Sequence, residues 1–160
     1  AIPENALSIW FAYSTTQGGV DESRFYEAFC FGDSSAMADE LGQLVLAGIK
    51  RATAGSVWSY ESSGKSIPKR GDLSVVMDSK QRALCIIETM QVDVIAFDQV
   101  SAEFAATEGE GDGSLAYWQE AHLAYFMREC ERSGRSFSSS MPIACERFKV
   151  VYVRPTQNAA

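Results

Sequence analysis

The sequence holds a single histidine, His122, and four cysteines, Cys30, Cys85, Cys130 and Cys145, that never approach Cys-x-x-Cys spacing. These shortages exclude the common zinc frameworks and any Ser-His-Asp triad not built on His122. Proline is scarce too: Pro3, Pro68, Pro142 and Pro155 sit at expected ends and turns, and no Pro-rich linker, repeat or low-complexity tract divides the chain. Bases are outnumbered, with 14 Lys and Arg against 21 Asp and Glu and a net charge of −7. Such a balance is unsuited to long duplex nucleic acid, whose binding leans on many phosphate contacts. No apolar run approaches the roughly 20 residues that a membrane helix needs. Ala1-Ile2-Pro3-Glu4 has neither the basic start nor the apolar stretch of a secretory signal. A chain of this size builds a core without disulfides, so reduced thiols and a cytoplasmic location are expected.

What is present suits one domain. The 160 residues are 46% hydrophobic and 22% charged, enough for one real core and too few for two. Charge is unevenly distributed: residues 1–49 carry −6, residues 50–82 carry +4, residues 83–131 carry −9 and residues 132–160 carry +4. The basic segments leave room for a small pocket that recognises one nucleotide or a short strand.

Apolar spacing predicts helices over residues 5–13 and 21–31. A further helix follows Asp33 or Ser34 as N-cap, carries Met37, Leu41, Leu44 and Val45 inward, and stops at Gly48. The period then changes. Residues 53–58, 73–77 and 83–97 read as strands, the last two joined by the turn Asp78-Ser79-Lys80-Gln81. A short helix is expected within 97–108. A long one runs from Ser114 to Gly134, with Leu115, Trp118, His122, Tyr125, Phe126 and Cys130 inward, and a final strand covers 143–153. The order predicts an α+β fold: a small mixed or antiparallel sheet, closing toward a β-barrel and flanked by helices.

Two segments carry groups for chemistry. Lys50 and Arg51 follow a helix end, where cations complement the helix dipole. Thr53 lies three residues beyond Lys50, and a lysine with a depressed pKa can take a proton from a hydroxyl. In Glu108-Gly109-Glu110-Gly111-Asp112-Gly113, alternate carboxylates make Glu110 and Asp112 weak candidates for Mg²⁺ or Mn²⁺. The same acids also suit the approach to the helix that Ser114 caps. Trp58, Tyr60 and Trp118 can stack a base or fill a core. His122, at helical spacing from Trp118 and Phe126, reads as a packed core histidine. Glu88, set in an apolar strand, faces solvent or sits inside the barrel as a partner for Lys50. The cysteines read as apolar fillers.

The motif Gly48-x-Lys50-x-x-Thr53 after a helix resembles the signature of the ASCH domain, a small β-barrel similar to the PUA RNA-binding domain. Phe31-Gly32-Asp33-Ser34, Ala38-Asp39-Glu40-Leu41, Trp58-x-Tyr60-Glu61 and Pro68-x-x-Gly71-Asp72 are similar to a bacterial branch of that family. So are Gly109-Glu110-Gly111-Asp112, Tyr117-Trp118 and Cys145-Glu146-Arg147-Phe148. The resemblance implies an ASCH domain over residues 22–153, with 1–21 as an extension packed on it and 154–160 as a tail.

It also implies an RNA- or nucleotide-binding cleft beside the motif, with hydrolytic, ribonuclease-type activity on single-stranded RNA. An amide hydrolase that deacetylates 4-acetylcytidine is the alternative, and a non-catalytic nucleotide sensor the third. Carried over residue by residue, Thr53 is the nucleophile, Lys50 its base, and Glu108 orients or protonates the substrate. Arg51, Ser56 and Trp58 line the pocket beside Tyr60 and Glu88. No cofactor is required unless the reaction is a nuclease cut assisted by Mg²⁺ or Mn²⁺.

Overall fold

In a computed structural model that describes residues 1–155, two unusually long strands organise the molecule. β4 (Ala83–Ala96) and β5 (Pro142–Val153) pair antiparallel along most of their length. β3 (Leu73–Met77) adds antiparallel to the first half of β4, and β2 (Ala52–Ser56) to the first half of β5. β1 (Phe25–Phe29) joins β3 in parallel and makes the sheet mixed, in the order β1-β3-β4-β5-β2. Register shifts at Ile86/Ile87 and Thr89/Gln91 bend the central pair. The edge strands β1 and β2 are not bonded to each other. Glu27 and Phe29 from one edge, and Thr53 and Gly55 from the other, nevertheless line one cavity. The sheet therefore curls toward a barrel, and the cavity occupies the open seam.

Among the described residues, five helices cover this sheet. α1 (Glu4–Thr16) buries Ala6, Ile9, Trp10 and Tyr13 against Leu73, Val75, Met77, Ala83 and Ile86. α2 (Ser35–Leu46) begins where the Ser34 hydroxyl accepts the Met37 amide at 3.2 Å. It places Leu41 and Val45 on the opposite face, with Val76, Cys85, Ile87 and Phe148. α4 (Ala102–Glu108) and α5 (Leu115–Ser133), capped by Ser101 and Ser114, form a third core with Ala52, Phe97, Ile143 and Cys145. α3 (Val57–Ser63) follows β2 directly.

Two expectations are corrected. Residues 21–31 form a 3-10 turn (Glu22–Arg24) and β1 in place of a helix. Their apolar spacing suits either state over so short a run, and the exposed edge of β3 decides it by offering a ladder partner. The strand expected over 53–58 stops at Ser56, whose ladder partner Ile143 is followed outward by Pro142. Proline has no amide to extend that ladder, and the chain turns into α3. The expected tail retains Arg154 and Pro155 among the described residues, while 156–160 lie outside them.

Trp10, 1% exposed and edge-on to Phe25 at 5.6 Å, anchors α1. Trp10→Ala is expected to cost about 3–5 kcal/mol in urea unfolding. Phe11→Ala, at a position 57% exposed on the same helix, is expected to stay within about 0.5 kcal/mol.

Candidate functional site

The seam cavity has a volume of about 210 Å³. Lys50 reaches it because the chain folds back at the end of α2, where the amides of Ile49 and Lys50 both donate to the Leu44 carbonyl. Glu108 arrives at the C-terminus of α4, which is docked on the same segment: the Arg51 amide donates to the Thr107 carbonyl at 2.9 Å. Gly109 makes the docking possible. It adopts φ +67, and a Cβ there would stand 2.3 Å from the Ile49 carbonyl oxygen.

Lys50 and Glu108 are 2% and 1% exposed and form an ion pair at 3.2 Å. The Lys50 ammonium also donates to the Ala52 carbonyl at 2.8 Å and lies 5.1 Å from the centre of the Phe31 ring. The second Glu108 oxygen accepts the indole N–H of Trp118 at 2.9 Å. His122 stacks on Trp118 with ring centroids 4.2 Å apart. Its Nδ1 lies 2.9 Å from the Trp118 carbonyl; a carbonyl only accepts, so Nδ1 carries hydrogen. Nε2 is therefore turned to the carboxylates, 3.4 Å from Glu108 and 3.7 Å from Glu110.

These surroundings push the two acids apart. Burial raises the Glu108 pKa, but the charges of Lys50 and His122 outweigh it and hold the group well below the usual carboxylate range. For Glu110, burial and then the adjacent Glu108 carboxylate push the pKa up to about 8. Its Oε2 is buried with no hydrogen-bond partner; a proton on Glu110 lets it donate to the Glu108 carboxylate. Burial lowers the His122 pKa, but Glu108 more than compensates and the net shift is upward. One carboxylate and one carboxylic acid thus stand side by side near neutral pH, with an imidazole facing both.

Thr53 lies on the cavity wall, with Glu146 as its cross-strand partner. Glu146 accepts the Thr89 hydroxyl at 2.6 Å, and burial, opposed by that bond, pushes its pKa up to about 7. Glu27, ion-paired with Lys65, and Tyr60 complete the wall. The Tyr60 ring lies over Gly55, where a Cβ would come within 3.1 Å of it.

Of the residues expected from the sequence, the cavity therefore gathers Lys50, Thr53, Glu108, Tyr60 and Glu110. The rest lie elsewhere. The Arg51 side chain is exposed outside the cavity. Ser56 and Trp58 line a separate shallow pocket, with Arg135 over the Trp58 ring at 4.8 Å. Glu88 pairs with Arg24 at 3.7 Å and not with Lys50, because its neighbour Thr89 takes the cavity face and strand alternation turns Glu88 away. Asp112 is exposed and accepts the Ser114 amide at 2.9 Å.

His122, read as core, belongs to the site, as do the Trp118 N–H and Glu146. The i, i+4 spacing of Trp118 and His122 beside an acidic loop was a sequence signal for the first two. Glu146 stood in a segment similar to the family, Cys145-Glu146-Arg147-Phe148, which gave it no role.

Glu108, Glu110 and His122 present ligand atoms all within 4.8 Å of one another, a donor set that in chemistry suits a transition metal. Lys50 Nζ, 3.2 and 3.9 Å from the same carboxylates, already supplies the positive charge. A divalent ion there would face an ammonium group, so the residues fit a metal poorly while Lys50 holds this position.

Two outcomes follow. Glu110 keeps its proton in the folded chain at pH values where the unfolded chain has lost it, so its contribution is fully present below about pH 4.5 and lost as pH rises through about 8. His122 acts in the same sense, and Glu108 in the opposite sense in acid. The melting temperature is expected to fall between pH 5 and 9, and Glu110→Gln to flatten that fall, gaining on the order of 1–3 kcal/mol over the parent at the alkaline end. Gly109→Ala is expected to destabilise by roughly 1–3 kcal/mol, seen in denaturant unfolding, as α4 is forced off the Ile49 carbonyl.

A family model of the ASCH domain matches residues 27–152. The crystal structure of an ASCH domain from Lactobacillus crispatus JV V101 superposes with a TM-score of 0.85 at 36% identity, covering 95% of this chain and 97% of that one. Protein EF3133 from Enterococcus faecalis V583 gives 0.86 at 31% identity, covering 94% and 90%. Hypothetical protein PH0355, 13% identical with a TM-score of 0.51 over 79% of this chain and 98% of that one, shares the fold alone. No curated protein matches the sequence. With its mixed, curled sheet and a family match spanning most of its length, the chain belongs to the ASCH domain family, of the PUA-like fold class.

Proposed function

We propose that the cavity binds a single nucleoside and hydrolyses an acyl amide on its base, as in the removal of an acetyl group from 4-acetylcytidine. The observation that carries this reading is the buried Lys50–Glu108 pair sharing with Thr53 a cavity of about 210 Å³. That volume is below the usual range for drug-sized ligands and holds one small molecule. Its wall carries four carboxyls, Glu27, Glu108, Glu110 and Glu146, and its two basic residues, Lys50 and His122, are turned to carboxyls, so no free cation is presented to a phosphate. Of the seven basic residues in the segment 50–82 that suggested an RNA path, four are ion-paired: Lys50 with Glu108, Lys65 with Glu27, Lys69 with Asp72 and Arg82 with Asp78. The ribonuclease reading therefore has less support than the small-molecule one.

The chemistry uses groups already described. A transient transfer of a proton from Lys50 to Glu108 across their 3.2 Å contact, uphill because the ion pair holds Glu108 charged, leaves a neutral amine. That amine takes the Thr53 proton as the threonine oxygen bonds to the acyl carbon. As the carbon–nitrogen bond breaks, the leaving nitrogen receives the proton of Glu110. Water then attacks the threonyl ester: its hydroxyl goes to the acyl carbon, its other hydrogen restores the Thr53 hydroxyl, the carboxylic acid leaves, and the proton lent to Glu108 passes to Glu110, returning both acids to their starting states. Because Lys50 stands where a cation is wanted, the reading calls for no metal.

The test incubates the protein with 4-acetylcytidine, and in parallel with a single-stranded RNA oligonucleotide, and follows products by mass spectrometry. Cytidine and acetate are expected from the first and no cleavage of the second, with turnover in Thr53→Ala reduced by about 100-fold or more. Equal turnover by Thr53→Ala, or cleavage of the oligonucleotide alone, overturns the reading.

A further inference from the structure

Among the described residues, Glu146 is the cavity carboxyl without a cationic partner. Glu108 has Lys50, Glu110 has Lys50 and His122 within 4 Å, and Glu27 has Lys65. Glu146 is 8% exposed, and its side chain makes one hydrogen bond, from the Thr89 hydroxyl to Oε2. A carboxyl group can accept about four hydrogen bonds, and of the two Glu146 oxygens only Oε2 is taken, by Thr89. Glu110 Oε2 is also unpartnered, but it sits beside Lys50 and His122 on a group that keeps its proton, which leaves the second oxygen of Glu146 as a free acceptor opposite Thr53.

Position adds the second argument. In the β2–β5 ladder Thr53 lies directly opposite Glu146, so the two side chains leave the same face with Cβ atoms about 5 Å apart. A group bonded to Glu146 is thus held within a few ångströms of the Thr53 hydroxyl. Thr89 fixes the carboxyl from the third strand, β4. Lys50 and Glu108, by contrast, come from the loop after α2 and the end of α4, so recognition and proton transfer are served by different elements.

We infer that Glu146 is the specificity-determining residue of the cavity, accepting an N–H from the base edge of the bound nucleoside and so selecting bases with a donor amino group over those with a carbonyl there. This rests on the nucleoside reading above. A base with an amino or N-acylamino group at that edge offers hydrogen to the free oxygen. With Glu146 ionised, above its pKa of about 7, a base with a carbonyl places oxygen against oxygen, and neither is satisfied. Sites built on a buried hydrogen bond reject analogues lacking the complementary group strongly, because the site's own polar atom is left unpaired.

The experiment measures binding of unmodified cytidine and uridine, which are not acyl substrates, by calorimetry at a pH well above 7, where Glu146 is ionised, to the parent chain and to Glu146→Gln. The parent is expected to prefer cytidine by about tenfold or more. Glu146→Gln is expected to lose most of that preference, since its amide can turn either an acceptor or a donor to the base, while keeping a cooperative melting transition. No preference in the parent chain overturns the inference whatever the variants do, and so does a preference that survives unchanged in Glu146→Gln. If Glu146→Gln does not fold, Thr89→Val, which keeps the carboxyl but removes its anchor, supplies the comparison, and an undiminished preference there overturns the inference. A preference lost with Glu146, together with no hydrolysis of 4-acetylcytidine, sinks the hydrolase reading alone. Hydrolysis with an unchanged preference sinks the assignment of Glu146 alone, and failure of both nucleosides to bind sinks both.

Discussion

The ion pair between Lys50 and Glu108 is the constraint on which the site depends. Both groups are almost fully removed from water, and burying two charges costs several kcal/mol per ion before their attraction returns it. The cost is met by completeness. The ammonium has a carboxylate, a carbonyl and an aromatic face, and the carboxylate has an ammonium, an indole N–H and an imidazole. Loss of one partner would strand the other in a medium that cannot solvate it.

Several features that look separate serve this pair. The α4 C-terminus is pinned to the segment after α2 by the Arg51–Thr107 backbone bond and by the close approach at Gly109. Past that glycine the chain reverses, so Glu110 returns to the ammonium that Glu108 already holds. Two carboxyls beside one cation cannot both be charged at low cost, and the second keeps its proton. The asymmetry of the cavity, one acid charged and one neutral, therefore follows from how the helix end is packed.

The curled sheet sets the other half of the arrangement. Because β1 and β2 do not bond to each other, the barrel has a seam, and side chains from both edges face across it. A closed ladder would fill that space with backbone hydrogen bonds. The aromatic and aliphatic clusters on both sheet faces and beneath α5 pack the curled sheet from outside the seam.

How far the sequence could be read depended on whether a property was local. Ser34 and Ser114 cap their helices through hydroxyls three residues from the amides they satisfy, and β3 and β4 announce themselves by β-branched runs; these are short-range effects. The spacing of Lys50 and Thr53 at a helix-to-strand turn, and the acidic loop at Glu108, were also visible as motifs. The state of residues 21–31 was not local, since it was fixed by the free edge of β3, more than forty residues away. Nor was the role of His122, whose helical spacing is the same for a core residue and for one aimed at two carboxyls. Glu88 and Glu146 are both single acids within strands, and only the register of the ladder sends one to Arg24 outside and the other beside Thr53. The chain by itself determined its helix caps, its strand-forming runs and the chemical types available to the site; packing alone decided which of them meet, because strand register and helix docking are set by contacts between segments far apart in the chain.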